Sequence, residues 1–149
     1  MALQSSLLST LQKLDLFQDL SPSQLKVVFG LCQQEVYEEG QLLCKAGADS
    51  EKIFILLSGS VRVLTPRGAL LVTEEAVTTV GEAGVLTGEK RAATVVADTV
   101  VTALSIARRP LTRLMQQDAG LAIRLYRNVL LMVRQKLIAA DQRIEQMFT

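Results

Sequence analysis

Short apolar runs broken by turn residues fill the middle of this chain, from Val36 to about Ala107. Residues 53–57 and 61–64 are two such runs, and the Ser-Gly-Ser between them predicts a β-hairpin. Further short runs lie at residues 69–72, 93–97 and 100–104. The turn residues of this region include Gly40, Gly47, Gly59, Pro66 and Gly68. So many short strands at this spacing predict a β-sandwich or jelly roll.

Helical patterns lie on both sides of the β region. Leucines recur at helical spacing near the N-terminus and predict a short amphipathic helix: Leu3, Leu7, Leu8, Leu11 and Leu14. A second helix begins with a capping-box pattern, in which Ser21 and Gln24 cap each other and Pro22 takes the first helical position. We expect this helix to end near Gln33. Its buried face is expected to consist of Leu25, Val28, Phe29 and Cys32.

The C-terminal part predicts a short helix opened by Pro110 and a long helix capped by Asp118. Apolar residues in the long helix are spaced 3, 4, 4, 3, 4 and 3: Tyr126, Val129, Val133, Leu137, Ala140, Ile144 and Met147. This spacing is typical of a coiled-coil seam with an added four-residue step. A helix of roughly thirty residues runs about 45 Å, which is more than one barrel covers. We therefore expect a parallel homodimer through residues 121–147; a single amphipathic helix lying on the barrel is the alternative.

Length and composition narrow the function classes. A chain of 149 residues with net charge +1 and 49% apolar residues is one globular domain. The apolar runs are too short to cross a bilayer, no signal peptide is recognisable, and Cys32 and Cys44 fit a reducing compartment. We expect a cytoplasmic protein without membrane attachment. The chain has no histidine, which removes His-based nucleophile pairs and His-ligated metal sites, so we expect no enzyme, no catalytic residue, no metal and no cofactor.

Basic side chains are concentrated between residues 108 and 143: Arg108, Arg109, Arg113, Arg124, Arg127, Arg134, Lys136 and Arg143. Such a patch can bind an acidic partner or nucleic acid, but it is more often the solvated side of two helices. We therefore expect no direct contact with nucleic acid.

Residues 81–94 combine small side chains with a carboxylate and an arginine. Small residues let backbone N–H groups approach an anion closely. Arg91 supplies a planar fork for two phosphate oxygens, and Glu82 can accept hydrogen bonds from sugar hydroxyls. A ligand that carries both a phosphate and a ribose would use both groups. The stretch predicts a nucleotide site, with an ordinary surface loop as the alternative.

The Gly-Glu at residue 81, the short helical turn and the Arg-Ala-Ala-Thr at residue 91 resemble the phosphate-binding cassette of the cyclic nucleotide-binding domain family. The resemblance extends from about Leu14 to Leu137. It implies an α+β, mainly β fold: an antiparallel jelly roll, or double-stranded β-helix, with N-terminal helices and a long C-terminal helix. We expect one domain, with helices at 1–33, the β-roll at 34–107 with its cassette at 81–94, and helices at 108–149.

The resemblance also implies roles for individual residues. Glu82 would bind the ribose 2′-hydroxyl, Arg91 would bind the cyclic phosphate, and Lys136 or Gln135 would reach the base as a lid. The backbone of the cassette would complete the cradle at Gly81, Ala83 and Ala92. The full set of expected ligand-binding residues is Val63, Val80, Gly81, Glu82, Ala83, Arg91, Ala92, Ala93 and Lys136.

Two positions depart from the family pattern. Residues 74–80 hold no glycine turn before Gly81, so we expect a different connection and a different pocket rim. Lys90 stands where a proline is often found, which should loosen the free cassette slightly.

Two functions fit these features. The first is a cyclic nucleotide sensor that signals through its last helix to an unknown effector protein. Cyclic AMP is favoured, because Ala92 offers no hydroxyl at a position where the family tends to use one for cyclic GMP. The alternative is a degenerate domain with an empty pocket that acts as a protein–protein interaction module.

Overall fold

A computed structural model describes residues 2–149, with side chains from Ser6 onward. The helices are α1 (Ala2–Gln12), a short 3₁₀ helix (Asp15–Phe17), α2 (Pro22–Phe29), α3 (Glu82–Thr87), α4 (Arg108–Gln117) and α5 (Ala119–Met147). The strands are β1 (Cys32–Tyr37), β2 (Leu42–Cys44), β3 (Lys52–Ser58), β4 (Ser60–Leu64), β5 (Leu70–Glu75), β6 (Thr78–Val80), β7 (Thr94–Ala97) and β8 (Val101–Ala107).

The strands form two four-stranded sheets in which all pairs are antiparallel, with the orders β1-β8-β3-β6 and β2-β7-β4-β5. One apolar cluster lies between the sheets, and a second lies between the first sheet and the helices. This is the mainly β jelly roll with flanking helices that the sequence predicts, so the fold class is confirmed.

The predicted hairpin around Gly59 is wrong. Strand β3 pairs with β8 and β6, and β4 pairs with β5 and β7, so the chain crosses from one sheet to the other at Gly59. Gly59 has a φ of 86°, and a Cβ there would lie 2.3 Å from the carbonyl oxygen of Val100, so this corner requires glycine. The actual hairpin joins β4 to β5 through a turn in which the Gly68 N–H donates to the Thr65 carbonyl.

The capping box at the start of α2 is present: the Ser21 hydroxyl accepts from the Gln24 N–H, and the Gln24 side chain accepts from the Ser21 N–H. The helix ends at Phe29, before Gly30, and not near Gln33 as expected. Cys32 and Gln33 belong instead to β1, where pairing with β8 satisfies their backbone. Burial raises the pKa of the Cys32 thiol to about 11, as expected for a thiol without a charged partner.

The two halves of α5 lie in different environments. In the first half, Leu121, Leu125 and Val129 are buried against the body of the protein. Asn128 fixes this face, because its buried amide donates to the carbonyls of Leu16 (2.7 Å) and Gln18 (2.9 Å). Beyond residue 132 most side chains are exposed. No helix within residues 2–149 is both long and apolar enough to cross a membrane.

The predicted apolar seam of α5 needs one correction. Val129 faces the protein and is only 6% exposed, whereas Leu130 is 70% exposed. The outward apolar and small residues therefore follow a regular 3, 4, 3, 4, 3, 4, 3 spacing: Ile123, Tyr126, Leu130, Val133, Leu137, Ala140, Ile144 and Met147. With Leu130 in place of Val129, the seam no longer contains the added four-residue step.

Candidate functional site

A cavity of about 670 Å³ lies between the second sheet, α3 and the second half of α5. All nine residues that the sequence nominates line it: Val63, Val80, Gly81, Glu82, Ala83, Arg91, Ala92, Ala93 and Lys136. The structure thus brings these residues together around one space, while their roles in binding a ligand stay predictions.

Gly81 opens the cassette and sets its geometry. Its φ is 83°, a left-handed conformation that favours glycine. A Cβ at this position would lie 2.3 Å from an Arg91 guanidinium nitrogen, so any side chain would displace the arginine. The short helix α3 follows at once and ends at Gly88, which is also left-handed. Glycine at residue 81 therefore lets the Arg91 guanidinium lie directly against the start of the cassette.

Arg91 is a buried arginine, 7% exposed, whose charge has no acidic partner within salt-bridge distance among residues 2–149. Nη1 donates to the Gly81 carbonyl at 3.0 Å, and Nη2 donates to the Lys52 carbonyl. Within the described chain, Nε is buried without a hydrogen-bond partner. A buried cation with an unused donor is costly unless an anion reaches it, so Arg91 is suited to bind one.

The backbone of Arg91 is fixed as firmly as its side chain. Its N–H donates to the Ala48 carbonyl, and its own carbonyl accepts from the Gly47 N–H, both at 2.8 Å. The guanidinium carbon lies 5.8 Å from the centre of the Phe54 ring, within cation–π range. Contacts within the protein thus hold both the backbone and the side chain of Arg91 in place.

Glu82 is the second buried charged residue of the cavity, at 3% exposure. Its Oε1 lies 3.5 Å from Lys136 Nζ on α5. Its Oε2 is buried and has no hydrogen-bond partner in the part of the chain that is described. A carboxylate oxygen in this condition is ready to accept a hydrogen bond from a ligand hydroxyl.

A network behind Arg91 involves residues that the sequence did not indicate. Lys52, whose carbonyl accepts from Arg91, extends its ammonium to Glu35 Oε1, and Tyr37 donates to Glu35 Oε2 at 2.7 Å. Burial acts to raise the pKa of Glu35, but the hydrogen bonds from Lys52 and Tyr37 outweigh it, and the pKa is lowered. The Tyr37 ring meets Phe54 edge-on, with centroids 6.0 Å apart. This network joins β1 and β3 directly beneath the arginine.

The other end of the cavity is apolar and open. It is lined by Val63 on β4, by Leu71 and Val72 on the edge strand β5, and by Ala139 on α5. Leu71 is 47% exposed. Arg143 Nη1 donates to the Leu71 carbonyl at 3.3 Å and so links α5 to this strand.

The structure refines three expectations about the rim. The connection before Gly81 turns at residues 76–77 without a glycine, and residues 78–80 then form β6. Lys90, in place of proline, forms an exposed ion pair with Asp49, and the hydrogen bond from Lys90 lowers the pKa of that carboxylate. Gln135 and Lys136, the two candidates for the contact with the base, both line the cavity, and the Lys136 ammonium lies beside Glu82.

Comparison with known proteins agrees with this geometry. Residues 34–118 match the family model described as the cyclic nucleotide-binding domain. A cyclic nucleotide-gated potassium channel of Mesorhizobium japonicum is 33% identical over 91 residues, which are 61% of this chain and 25% of the channel. The chain therefore spans about a quarter of the length of that relative.

Solved structures of two regulatory proteins are among those that share the fold. The sensor domain of the transcriptional regulator DNR from Pseudomonas aeruginosa has a TM-score of 0.73 at 24% identity, covering 92% of this chain and 95% of that one. The regulatory domain of Toxoplasma gondii PKA, solved with cAMP, has a TM-score of 0.70 at 22% identity, covering 75% of this chain and 44% of that one. At these identities the likeness is one of fold.

Proposed function

This chain belongs to the cyclic nucleotide-binding domain family, and we propose that it is a regulatory receptor that binds cyclic AMP in preference to other cyclic nucleotides. One observation carries the proposal: Arg91 and Glu82 are both buried in one cavity, and each keeps a polar atom without a partner in the described chain. A ligand that satisfies both atoms must supply an anion and a hydroxyl. A ribose cyclic phosphate carries the two on neighbouring atoms.

In this proposal each part of the ligand has its own contacts in the cavity. The phosphate accepts from the free Nε of Arg91, where the left-handed Gly81 lets backbone and guanidinium approach closely. The ribose 2′-hydroxyl donates to Oε2 of Glu82. The base lies between Val63, Leu71 and the C-terminal half of α5, where apolar contact is available. The regulatory domain of Toxoplasma gondii PKA was solved with cAMP, a ligand that has these three parts.

The preference for cyclic AMP rests on Ala92. This residue follows the phosphate-binding arginine, lines the cavity and offers no side-chain donor. A guanine base would find no added hydrogen bond there, and its polar edge would lose water without compensation.

The second half of α5 supports a further part of the proposal, a parallel homodimer that transmits ligand binding to an effector protein. Its outward residues keep the heptad spacing of a coiled coil from Ile123 to Met147. Large exposed apolar side chains at this spacing are typical of helices that pack against another helix. Lys136 and Arg143 on the same helix line the cavity. A ligand that moves α5 through these residues therefore also moves the seam.

Calorimetric titration of the purified protein with cyclic AMP, cyclic GMP and a cyclic dinucleotide tests the receptor function. We expect one site per chain, with the tightest binding for cyclic AMP. Linear 5′-AMP is the matched control, because it has the same base and ribose hydroxyl but a different phosphate geometry. If none of the cyclic nucleotides binds, the receptor function is wrong and the alternative, an interaction module with an empty pocket, takes its place.

A further inference from the structure

The ion pair between Lys136 and Glu82 joins the exposed half of α5 to a buried carboxylate at the ribose end of the cavity. Lys136 Nζ lies 3.5 Å from Oε1, and the two side chains are 66% and 3% exposed. The other oxygen, Oε2, has no partner within residues 2–149. The two oxygens of Glu82 thus differ, because Oε1 pairs with Lys136 of α5 and Oε2 has no partner in the described chain.

Lys136 is the one cation within salt-bridge distance of Glu82 among the described residues. A buried carboxylate that loses its cationic partner keeps an uncompensated charge, which is strongly destabilising. The carboxylate would relieve this cost by turning toward water. Its unused oxygen would then no longer be held at the position where the cavity needs an acceptor.

We propose that Lys136 is a positioning residue of the ribose subsite. By holding Oε1 of Glu82 it leaves Oε2 to accept the sugar 2′-hydroxyl, and it ties the second half of α5 to the same carboxylate. Lys136 therefore acts on the sugar through Glu82 and not by contact with the base. The inference rests on the proposed function, because it requires a ribose-bearing ligand.

The test compares cyclic AMP with its 2′-deoxy analogue, which lacks the hydroxyl that Glu82 would accept. We expect the wild type to prefer cyclic AMP by about tenfold or more, the value of one hydrogen bond to a charged group. Lys136→Met should weaken cyclic AMP alone, so that the preference falls to about twofold or less. Lys136→Arg should restore most of the preference, because a cation again reaches Glu82.

Arg134→Met is the matched control. Arg134 is an exposed cation two residues away that does not line the cavity, so its loss should leave the preference unchanged. An unchanged preference in Lys136→Met, or an equal loss for both ligands, would overturn the inference while leaving the receptor function standing. Failure of the wild type to bind either ligand would instead count against the receptor function.

A second readout needs no ligand. In the empty protein, amide hydrogen exchange across residues 137–147 should be about threefold faster or more in Lys136→Met than in Arg134→Met, because the helix loses its tie to the cavity. Lys136→Gln provides the same comparison with a polar side chain. Equal exchange in all of these proteins would show that Lys136 does not hold α5.

Discussion

The two ends of the cavity are built differently. At the end proposed for the phosphate (the phosphate end), Arg91 is buried, and its guanidinium and backbone are held by the carbonyls of Gly81, Lys52 and Ala48. At the end proposed for the base (the base end), the lining comes from the edge strand β5 and from the exposed half of α5. Across that opening, the Arg143–Leu71 hydrogen bond joins α5 to the strand.

Under the proposed function, this difference separates recognition of the ligand from the response to it. The phosphate end provides affinity at little ordering cost, since the protein itself holds its donors in place. The base end lies on elements with large exposed apolar surfaces, which can shift when a ligand or a second chain covers them. We therefore expect changes at the phosphate end to abolish binding, and changes at the base end to modify affinity, selectivity or assembly.

Arg91→Ala is expected to have the largest effect. Cyclic AMP at a hundred times its dissociation constant should stabilise the wild type by about 2.7 kcal/mol, which raises the melting temperature by roughly 5–10 °C. Arg91→Ala should remove this shift, because it deletes the buried cation of the phosphate end. Thermal unfolding with and without ligand measures the effect. Arg91→Lys should also bind poorly, because a lysine ammonium cannot replace both the two carbonyl contacts and the free Nε–H donor of the guanidinium.

Arg67→Ala is the matched control for that experiment. Arg67 lies on an exposed turn away from the cavity, so its loss should leave the ligand-induced shift intact. A ligand-induced shift that survives in Arg91→Ala would show that the phosphate end does not carry the binding, and the contrast between the two ends would disappear.

Val133→Glu comes second and tests the α5 seam. It places a charge among residues that would be buried in a dimer, which is costly. We expect a monomer by light scattering, and a roughly fivefold or larger loss of cyclic AMP affinity through the coupling of assembly to the cavity. Gln142→Glu, on the face of α5 away from the seam, should keep the dimer.

The loss of the dimer and the loss of affinity can be tested independently. A dimer that persists in both Val133→Glu and Leu137→Glu would show that the seam is not the interface. A monomer that binds cyclic AMP as well as the wild type would keep the interface but remove its link to the base end.

Ala92→Thr is the smallest of the three changes. A hydroxyl next to the arginine should improve cyclic GMP binding by about one hydrogen bond, roughly 1 kcal/mol or fivefold, while cyclic AMP changes little. Competition binding measures the ratio of the two affinities. If wild-type protein already prefers cyclic GMP, Ala92 does not set the base preference.

The cassette could be predicted from the sequence because Gly81, Glu82 and Arg91 lie within eleven residues and carry their chemistry locally. The network beneath Arg91 could not, since Lys52 and Glu35 meet only after β1 and β3 take their places beside β8. Such contacts depend on which strands pair, and local apolar runs do not contain that information.

The same limit explains two of the wrong predictions in the fold, the hairpin at Gly59 and the seam of α5. The runs on either side of Gly59 have the pattern of a hairpin, but β3 and β4 belong to different sheets. The residues of β3 are buried because that strand is central in its sheet, between β8 and β6. In α5, Val129 and Leu130 are adjacent apolar residues, and helical spacing alone does not decide which one faces inward. The hydrogen bonds of Asn128 to the chain near Leu16 make that choice.

The most direct test of the central claim, that Arg91 binds the phosphate, is to observe its free donor. In a spectrum of the arginine side chains labelled with ¹⁵N, the Nε–H signal missing from Arg91→Lys identifies Arg91. Because Nε has no partner in the described protein, saturating cyclic AMP should move its proton signal downfield and slow its exchange with water. An Arg91 Nε–H signal that does not change when cyclic AMP is bound would contradict the claim.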